Sequence, residues 1–256
     1  MKMIGSENML AEERFTKILS ILEEEGTVEV SQLMEALGTS ESTIRRDLNT
    51  LDARGMLVKV HGGAVPKNNQ YQTRDDEVDL RKERNVAEKT RVAQYAANLI
   101  GDDDVVYLDA GTTTELMIQS AINRKALYVT NAVGHAKKLS VLGCRVYLLG
   151  GEFKGTTDAI VGEEAVVSLE KYNFTKGFFG ANGVTKEQGF TTPEPKEALI
   201  KKKAMAHSKE AFVLVDSSKF GEISSVTFGQ MDRAKIITDI APKAFGDCEN
   251  IKEVDA

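Results

Sequence analysis

The segment DAGTTTEL sets Asp109, Gly111, Thr112, Thr113 and Thr114 between an apolar run and helix-forming sequence. A helix that starts there offers free N–H groups and the positive end of its dipole to an anion, and three hydroxyls add donors. One threonine is enough for a plain helix cap. Three in a row after a strand-ending glycine favour a phosphorylated small molecule. No Gly-Lys-Ser/Thr follows, so this is not a nucleotide P-loop. A second concentration of chemistry lies in residues 40–63, SESTIRRDLNTLDARGMLVKVHGG. Ile44, Leu48 and Leu51 fall on one helical stripe, while Ser42, Arg46 and Asn49 point the other way, flanked by Thr43, Arg45 and Thr50. Arginines among small polar side chains suit the DNA major groove, where Arg bonds two acceptors of guanine. Read alone, the stretch is also compatible with an ordinary amphipathic surface helix. His61, His135 and His207 are isolated, and Cys144 and Cys248 lack metal-ligand spacing. No catalytic constellation, metal site or cofactor is expected.

The elements around residues 40–63 decide between those readings. Phe15, Ile18, Leu19 and Leu22 form an upstream helical stripe, and residues 27–30 read as a short strand. Ser31 is the expected cap of a second helix carrying Leu33, Met34 and Leu37 and ended by Gly38. Ser40 caps the next helix, which stops near Gly55. MLVKVHGG then reads as a strand entering a Gly62-Gly63 turn, with Lys59 and His61 on the wing. Helix, strand, helix, turn, helix and wing make a winged helix-turn-helix. Residues 1–65 are assigned to it, with Ser40, Ser42, Thr43, Arg45, Arg46, Asn49, Thr50, Lys59, His61, Gly62 and Gly63 as candidate DNA contacts. Acidic residues outnumber basic ones in this piece, but the excess sits around Glu23, Glu24 and Glu25. Few phosphate contacts per protomer are therefore expected, with affinity resting on two protomers binding together.

Residues 66–78 carry Pro66, asparagines and mixed charge without periodicity and read as a linker. A helix is expected over residues 79–100, with Val86, Val92, Ala93, Ala96, Ala97 and Ile100 on its apolar face and the charged run 81–91 as a solvated face or signalling arm. Residues 79–256 form the second domain. VVYLDAG, ALYVTN, RVYLLGG, KGFFGANG, AFVLVDSSKFG and KIITD are apolar runs, each followed by helix-forming sequence. They predict an α/β domain with a mostly parallel sheet covered on both faces. Ligands bind beyond the carboxyl ends of such strands. Small and polar residues collect there: 109–114, Thr130 and Asn131, Gly150 and Gly151, 180–183, and 216–219.

The bulk composition fits a folded chain of two domains: 256 residues, 41% hydrophobic, 28% charged, net charge −6. Disorder and indiscriminate coating of nucleic acid are disfavoured. No apolar run approaches the ~18 residues of a spanning helix, and the N-terminus lacks the apolar core of a signal peptide. With two distant cysteines, a reduced cytoplasmic protein with no membrane association is expected.

STIRRDL together with VHGGA resembles the DeoR family of bacterial sugar-operon regulators. The second domain resembles the sensor domain of the same family, whose fold is similar to that of sugar-phosphate isomerases of the ribose-5-phosphate type. The resemblance runs from about Met9 to Asp239. It implies a phosphosugar over Thr112, Thr113 and Thr114, with Thr130, Asn131, Gly151, Asn182, Glu197, Lys201, Asp216 and Lys219 as its rim. It also implies loss of chemistry. The acidic DGAD-type strand end of the isomerases reads GANG here, with Asn182 in place of an acid. The position of the isomerase base, counted back from Asp216, holds Lys201. Glu197 is the remaining candidate for a base. The implied function is a homo-oligomeric repressor of a sugar-utilisation operon, bound to operator DNA and released by a phosphorylated sugar. The flavour of fructose-operon repressors implies fructose 1-phosphate, while other members answer to tagatose 6-phosphate, glycerol 3-phosphate or deoxyribose phosphates. The alternatives are an activator with the same parts and an isomerase carrying a DNA-binding head.

Overall fold

Phe15, Ile18 and Leu22 line one side of α1 (Ala11–Glu25) and are buried against the next two helices. The structure, a computed structural model, describes residues 10–25, 27–60, 62–65, 78–120 and 122–254. His61 and residues 66–77 lie outside the described residues, as does part of the expected linker. The chain divides into two units, residues 1–70 and 71–256, each described by itself.

In the first unit, β1 (Val28–Glu29) leads straight into α2 (Val30–Leu37). The cap of α2 is Glu29, two residues ahead of the expected Ser31. Glu29 and Gln32 form a reciprocal capping box, and the Ser31 hydroxyl only donates to the Glu29 carboxylate, at 3.2 Å. Gly38 takes φ +60° and closes α2 with its N–H on the Met34 carbonyl. Ser40 caps α3 (Glu41–Ala53) as expected, its hydroxyl accepting from the Thr43 N–H. Ile44, Leu48 and Leu51 of α3 are fully buried with Leu33, Leu37 and Leu57. β2 (Val58–Val60) and β3 (Gly63–Val65) form the wing, and β1 completes its sheet in the order β1-β3-β2.

Asp47 is the one carboxylate of α3 on the buried side, 3% exposed. Arg14 of α1 meets it in a two-pronged pair, Nε to Oδ2 at 2.7 Å and Nη2 to Oδ1 at 3.0 Å. This pair fixes the rotation of α3 about its own axis, since planar guanidinium and carboxylate bond well in few orientations.

The second unit begins with α4 (Val78–Glu83) and α5 (Val86–Ala97). The single helix expected over 79–100 is therefore broken. Asn85 takes φ +51°, a left-handed conformation that ends one helix and precedes the other. Val86 is 46% exposed and is not part of the apolar face, which runs through Val92, Ala93, Ala96 and Ala97.

All six expected strands are present: β4 (Val105–Leu108), β5 (Leu127–Thr130), β6 (Arg145–Leu148), β9 (Phe174–Gly180), β12 (Ser208–Leu214) and β14 (Lys235–Thr238). A seventh, β15 (Ile251–Glu253), joins the sheet through Ile236 opposite Ile251. The order is β15-β14-β12-β9-β4-β5-β6, with parallel pairing throughout. On one face α5, α6 (Thr112–Gln119) and α7 (Val133–Val141) cover Val106, Leu108, Tyr128 and Phe178. On the other, α8 (Glu163–Glu170) and α9 (Pro195–Ala206) cover Tyr107, Val129, Phe179 and Val213. Two antiparallel insertions were not expected. They are the hairpin β7 (Glu152–Lys154) with β8 (Ala159–Val161), and a small sheet of β10 (Gly183–Thr185), β11 (Gly189–Thr192) and β13 (Val226–Gly229).

Removing one partner of a buried pair strands the other. Asp47→Ala is expected to lower the opening free energy of α3 amides by about 2 kcal/mol in native-state hydrogen exchange, with amides of the parallel sheet unmoved.

Candidate functional site

The outward face of α3 carries Ser42, Arg45, Arg46 and Asn49, all exposed, with Thr43 and Thr50 half-buried beside them. Arg45 is held by Glu41 one turn back, Nε to Oε1 at 2.7 Å. Among the described residues the Arg46 side chain has no partner, so its five donors face outward. Lys59 of the wing reaches Asn49 Oδ1 at 2.5 Å, which joins β2 to α3. The Ser40 hydroxyl is taken up with Thr43 and Ser42. Gly63 has a packing reason for its lack of a side chain, because a Cβ there would strike the Val28 carbonyl across the sheet. Gly62 takes φ +86° in the exposed turn, and its carbonyl accepts from the Val30 N–H at 2.9 Å. Arg54 is committed elsewhere, to Glu12 at 3.2 Å and over the Phe15 ring.

In the second unit the candidate effector residues come from the carboxyl ends of β4, β5, β9 and β12, with Gly151 after β6 and Glu197 and Lys201 on α9. The first helical bond of α6 runs from Glu115 N to Gly111 O, so the N–H groups of Thr112, Thr113 and Thr114 have no acceptor within the helix. The three hydroxyls are not equivalent. Thr114 is fully buried, with its Oγ1 2.6 Å from Asp109 O and accepting from Gly111 N, so it shapes the loop. Thr112 is half-buried and without a side-chain partner among the described residues. Thr113 is 7% exposed.

Thr130 and Asn131 are also builders of this loop. Thr130 Oγ1 donates to Leu108 O at 2.6 Å and accepts from Ala132 N. Asn131 Oδ1 accepts from Tyr107 Oη and Ala110 N, and its amide donates to Ile160 O. Gly151 takes φ +141° where a Cβ would meet Val161 O and Ala165, so packing accounts for it too.

The carboxylates of the site are all engaged. Asp109 Oδ2 accepts from Lys201 Nζ and from Gly180 N, and Lys201 also donates to Gly180 O at 3.1 Å. Both side chains of that pair are buried. Glu197 accepts from Lys154 Nζ at 2.9 Å and Thr157 Oγ1 at 2.7 Å. Burial pushes its pKa up, but Lys201, Thr157 and Lys154 outweigh burial and hold it below the usual carboxylate range. Asp216 Oδ1 accepts from Asn85 Nδ2 at 2.8 Å and from Ser218 Oγ and N. Asn182 is half-buried, and its Oδ1 accepts from Thr192 Oγ1 at 3.3 Å.

Lys219 lies half-buried on the turn after Asp216, without a side-chain partner among the described residues. Beside it stands Lys89, which the sequence reading assigned to a solvated run. Lys89 is 5% exposed, and its Nζ donates to Arg81 O at 2.6 Å. Burial pushes its pKa down to about 8; Asp216 opposes that shift, while Lys219, Arg81 and Arg84 reinforce it. A signal was present, because Lys89 precedes Val92, Ala93 and Ala96 by three, four and seven residues and so sits in the buried stripe. Next to Gly111 and Thr112 a narrow cleft is lined by Arg81, Lys82, Glu115 and His135. Burial pushes His135 down to about 4, so its ring is neutral near pH 7, with Nε2 3.2 Å from Thr114 Oγ1. Cations and helix N–H groups of this kind can hold an anion. Among the described residues no cluster of His, Cys, Asp and Glu could hold a metal, and no helix is long and apolar enough to cross a membrane.

Residues 14–70 match the DeoR-like helix-turn-helix domain, and residues 84–240 match the DeoR C-terminal sensor domain. The chain is 44% identical over 231 residues to a Bacillus subtilis protein named "Uncharacterized HTH-type transcriptional regulator FruR", covering 90% of this chain and 91% of that one. It is 37% identical to the lactose phosphotransferase system repressor of Streptococcus mutans, covering 90% and 93%. The Staphylococcus aureus repressor of the same name is 35% identical, covering 86% and 88%. Among solved structures the chain is similar to ribose 5-phosphate isomerase A of Methanocaldococcus jannaschii, at 20% identity and TM-score 0.41, covering 53% and 55%. It is also similar to eIF2B delta of Chaetomium thermophilum, at 15% identity and TM-score 0.42, covering 82% of each chain. With both of its units matched and relatives aligned along most of its length, the chain belongs to the DeoR family of helix-turn-helix regulators.

Proposed function

We propose that this protein is a repressor of a sugar-utilisation operon, whose α3 enters the major groove of operator DNA and whose sensor unit binds a phosphorylated sugar that releases it. The observation that carries the sensor half is an excess of cations without a base. Lys89 and Lys219 stand at the β12 end, while Asp109, Glu197 and Asp216 are each engaged by partners. Aldose–ketose isomerisation needs a carboxylate or equivalent poised at the substrate carbon. Here Lys201 neutralises Asp109, and Asn182 is an amide. The arrangement supports binding without turnover. Lys89 and Lys219 suit the phosphate, with the free N–H groups of Thr112 and Thr113, and Asn182 suits sugar hydroxyls.

The DNA half is supported by the exposed Arg46 guanidinium on a capped helix, flanked by Ser42, Arg45 and Asn49. We place the winged unit at 1–65, a linker at 66–78 and the sensor at 79–256. A cytoplasmic homo-oligomer, dimer or tetramer, is the proposed working form, because two-fold pairing matches a pseudo-palindromic operator. The repressor names of the lactose phosphotransferase relatives support repression over activation. Fructose 1-phosphate is the proposed effector, with tagatose 6-phosphate its competitor.

A thermal-shift panel of sugar phosphates, followed by operator release with the compound that stabilises, tests the assignment. Turnover of any of them by the pure protein would overturn the binding-only reading. Arg46→Ala is expected to weaken operator binding by about 10- to 100-fold in a gel-shift titration, leaving the thermal shift unchanged. Lys219→Ala is expected to repress normally and to fail to release. Lys89 deprotonates above its pKa of about 8. A bound phosphate favours the charged form, so effector affinity should hold below pH 8 and fall by about tenfold between pH 8 and 9. Calorimetric affinities across pH 6.5–9.5 measure this.

A further inference from the structure

α4 is fastened to the sensor at three points. Its Lys82 pairs with Glu115 of α6 at 3.4 Å. Its Arg81 carbonyl, one of the last of the helix and without an intrahelical donor, accepts from Lys89 Nζ at 2.6 Å. Beyond its end, Asn85 donates its amide to Asp216 Oδ1 at 2.8 Å and to Ser218 Oγ at 3.2 Å. The last two fasteners end on the residues that frame the proposed phosphate site, Lys89 and the turn running from Asp216 to Lys219. Docking of α4 also sets the charges of Arg81 and Arg84 against Lys89, where Lys219 adds to them and Asp216 opposes them. Like charges therefore work against the same docking that the hydrogen bonds favour.

We infer that an anion held by Lys89 and Lys219 locks α4 onto the sensor, making the break at Asn85 the relay from effector to the segment that leads to the winged unit. The inference rests on the phosphosugar reading of the site and adds the direction of the response. A phosphate beside Lys89 opposes the like charge that Lys219, Arg81 and Arg84 place on it. The Lys89 ammonium has three protons, so it serves the Arg81 carbonyl and a phosphate oxygen together. Coupling is reciprocal, and a docked α4 tightens the anion by the factor by which the anion tightens α4. Residues 66–77 connect α4 to the wing in the chain, so the position of α4 is the boundary condition for that connection.

Hydrogen exchange of the full-length protein, with and without saturating fructose 1-phosphate and separately with inorganic phosphate, tests this. The expected result is that exchange in residues 81–90 slows by about five- to tenfold, alongside protection of the first turn of α6. Asn85→Gly keeps the left-handed backbone and removes the amide. It is expected to retain protection in α6, to lose most of the slowing in 81–90, and to release operator poorly. Unchanged or faster exchange in 81–90 with α6 protected overturns the lock and leaves the pocket standing. No protection anywhere with either anion overturns the pocket reading and the lock with it.

Discussion

The carboxylate of Asp109 ties together the elements that meet at the carboxyl ends of β4 and β9. It ends β4, and its Oδ2 accepts from the Gly180 N–H at the end of β9 and from Lys201 of α9. One oxygen thus ties two neighbouring strands and the helix packed over them. A buried pair of this kind adds little net stability, because desolvation consumes most of the Coulomb gain. Its value is positional. The α6 loop, the β9 end and α9 are held in one arrangement, and the chain between Asp109 and Thr114 has one place to go.

Charge is partitioned in a comparable way in the winged unit. Arg14 and Arg54, two of its cations, are spent on α1-to-α3 contacts. Arg45 is balanced by Glu41 and Lys59 leans on Asn49, which leaves Arg46 as the cation of the α3 face without a partner among the described residues. The acidic balance of the chain, net charge −6, goes with this sparing use of cations.

The apolar stripes of the three N-terminal helices and the six continuous strand runs were legible, because burial on one face or on both leaves a period in the sequence. The cap of α2 was misplaced by two residues, since glutamate is an uncommon cap and works here through its exchange with Gln32. The break at Asn85 had no Gly or Pro to announce it; only the tie to Asp216, 131 residues away, makes it intelligible. β15 is short, and its IKE carries one apolar residue, too little pattern to register. Among the candidate effector residues, residue type could not separate side chains left without a partner from those that build the loops. Thr114 and Thr130 carry the same hydroxyl as Thr112 and spend it on backbone groups, while Asn131 spends its amide on Tyr107, Ala110 and Ile160. Lys89 was hidden by its charged neighbours, although its place in the buried stripe marked it.

The strand preceding α2 has a consequence for binding strength. Because β1 hydrogen-bonds to β3, and Gly63 lets the two backbones close on one another, the base of the wing is part of the folded core and not an independent flap. Its conformational freedom is lost when the chain folds, before any duplex arrives. Association then freezes few additional torsions, and a larger share of each contact survives as affinity. A head with so sparse a set of cations depends on that economy of motion.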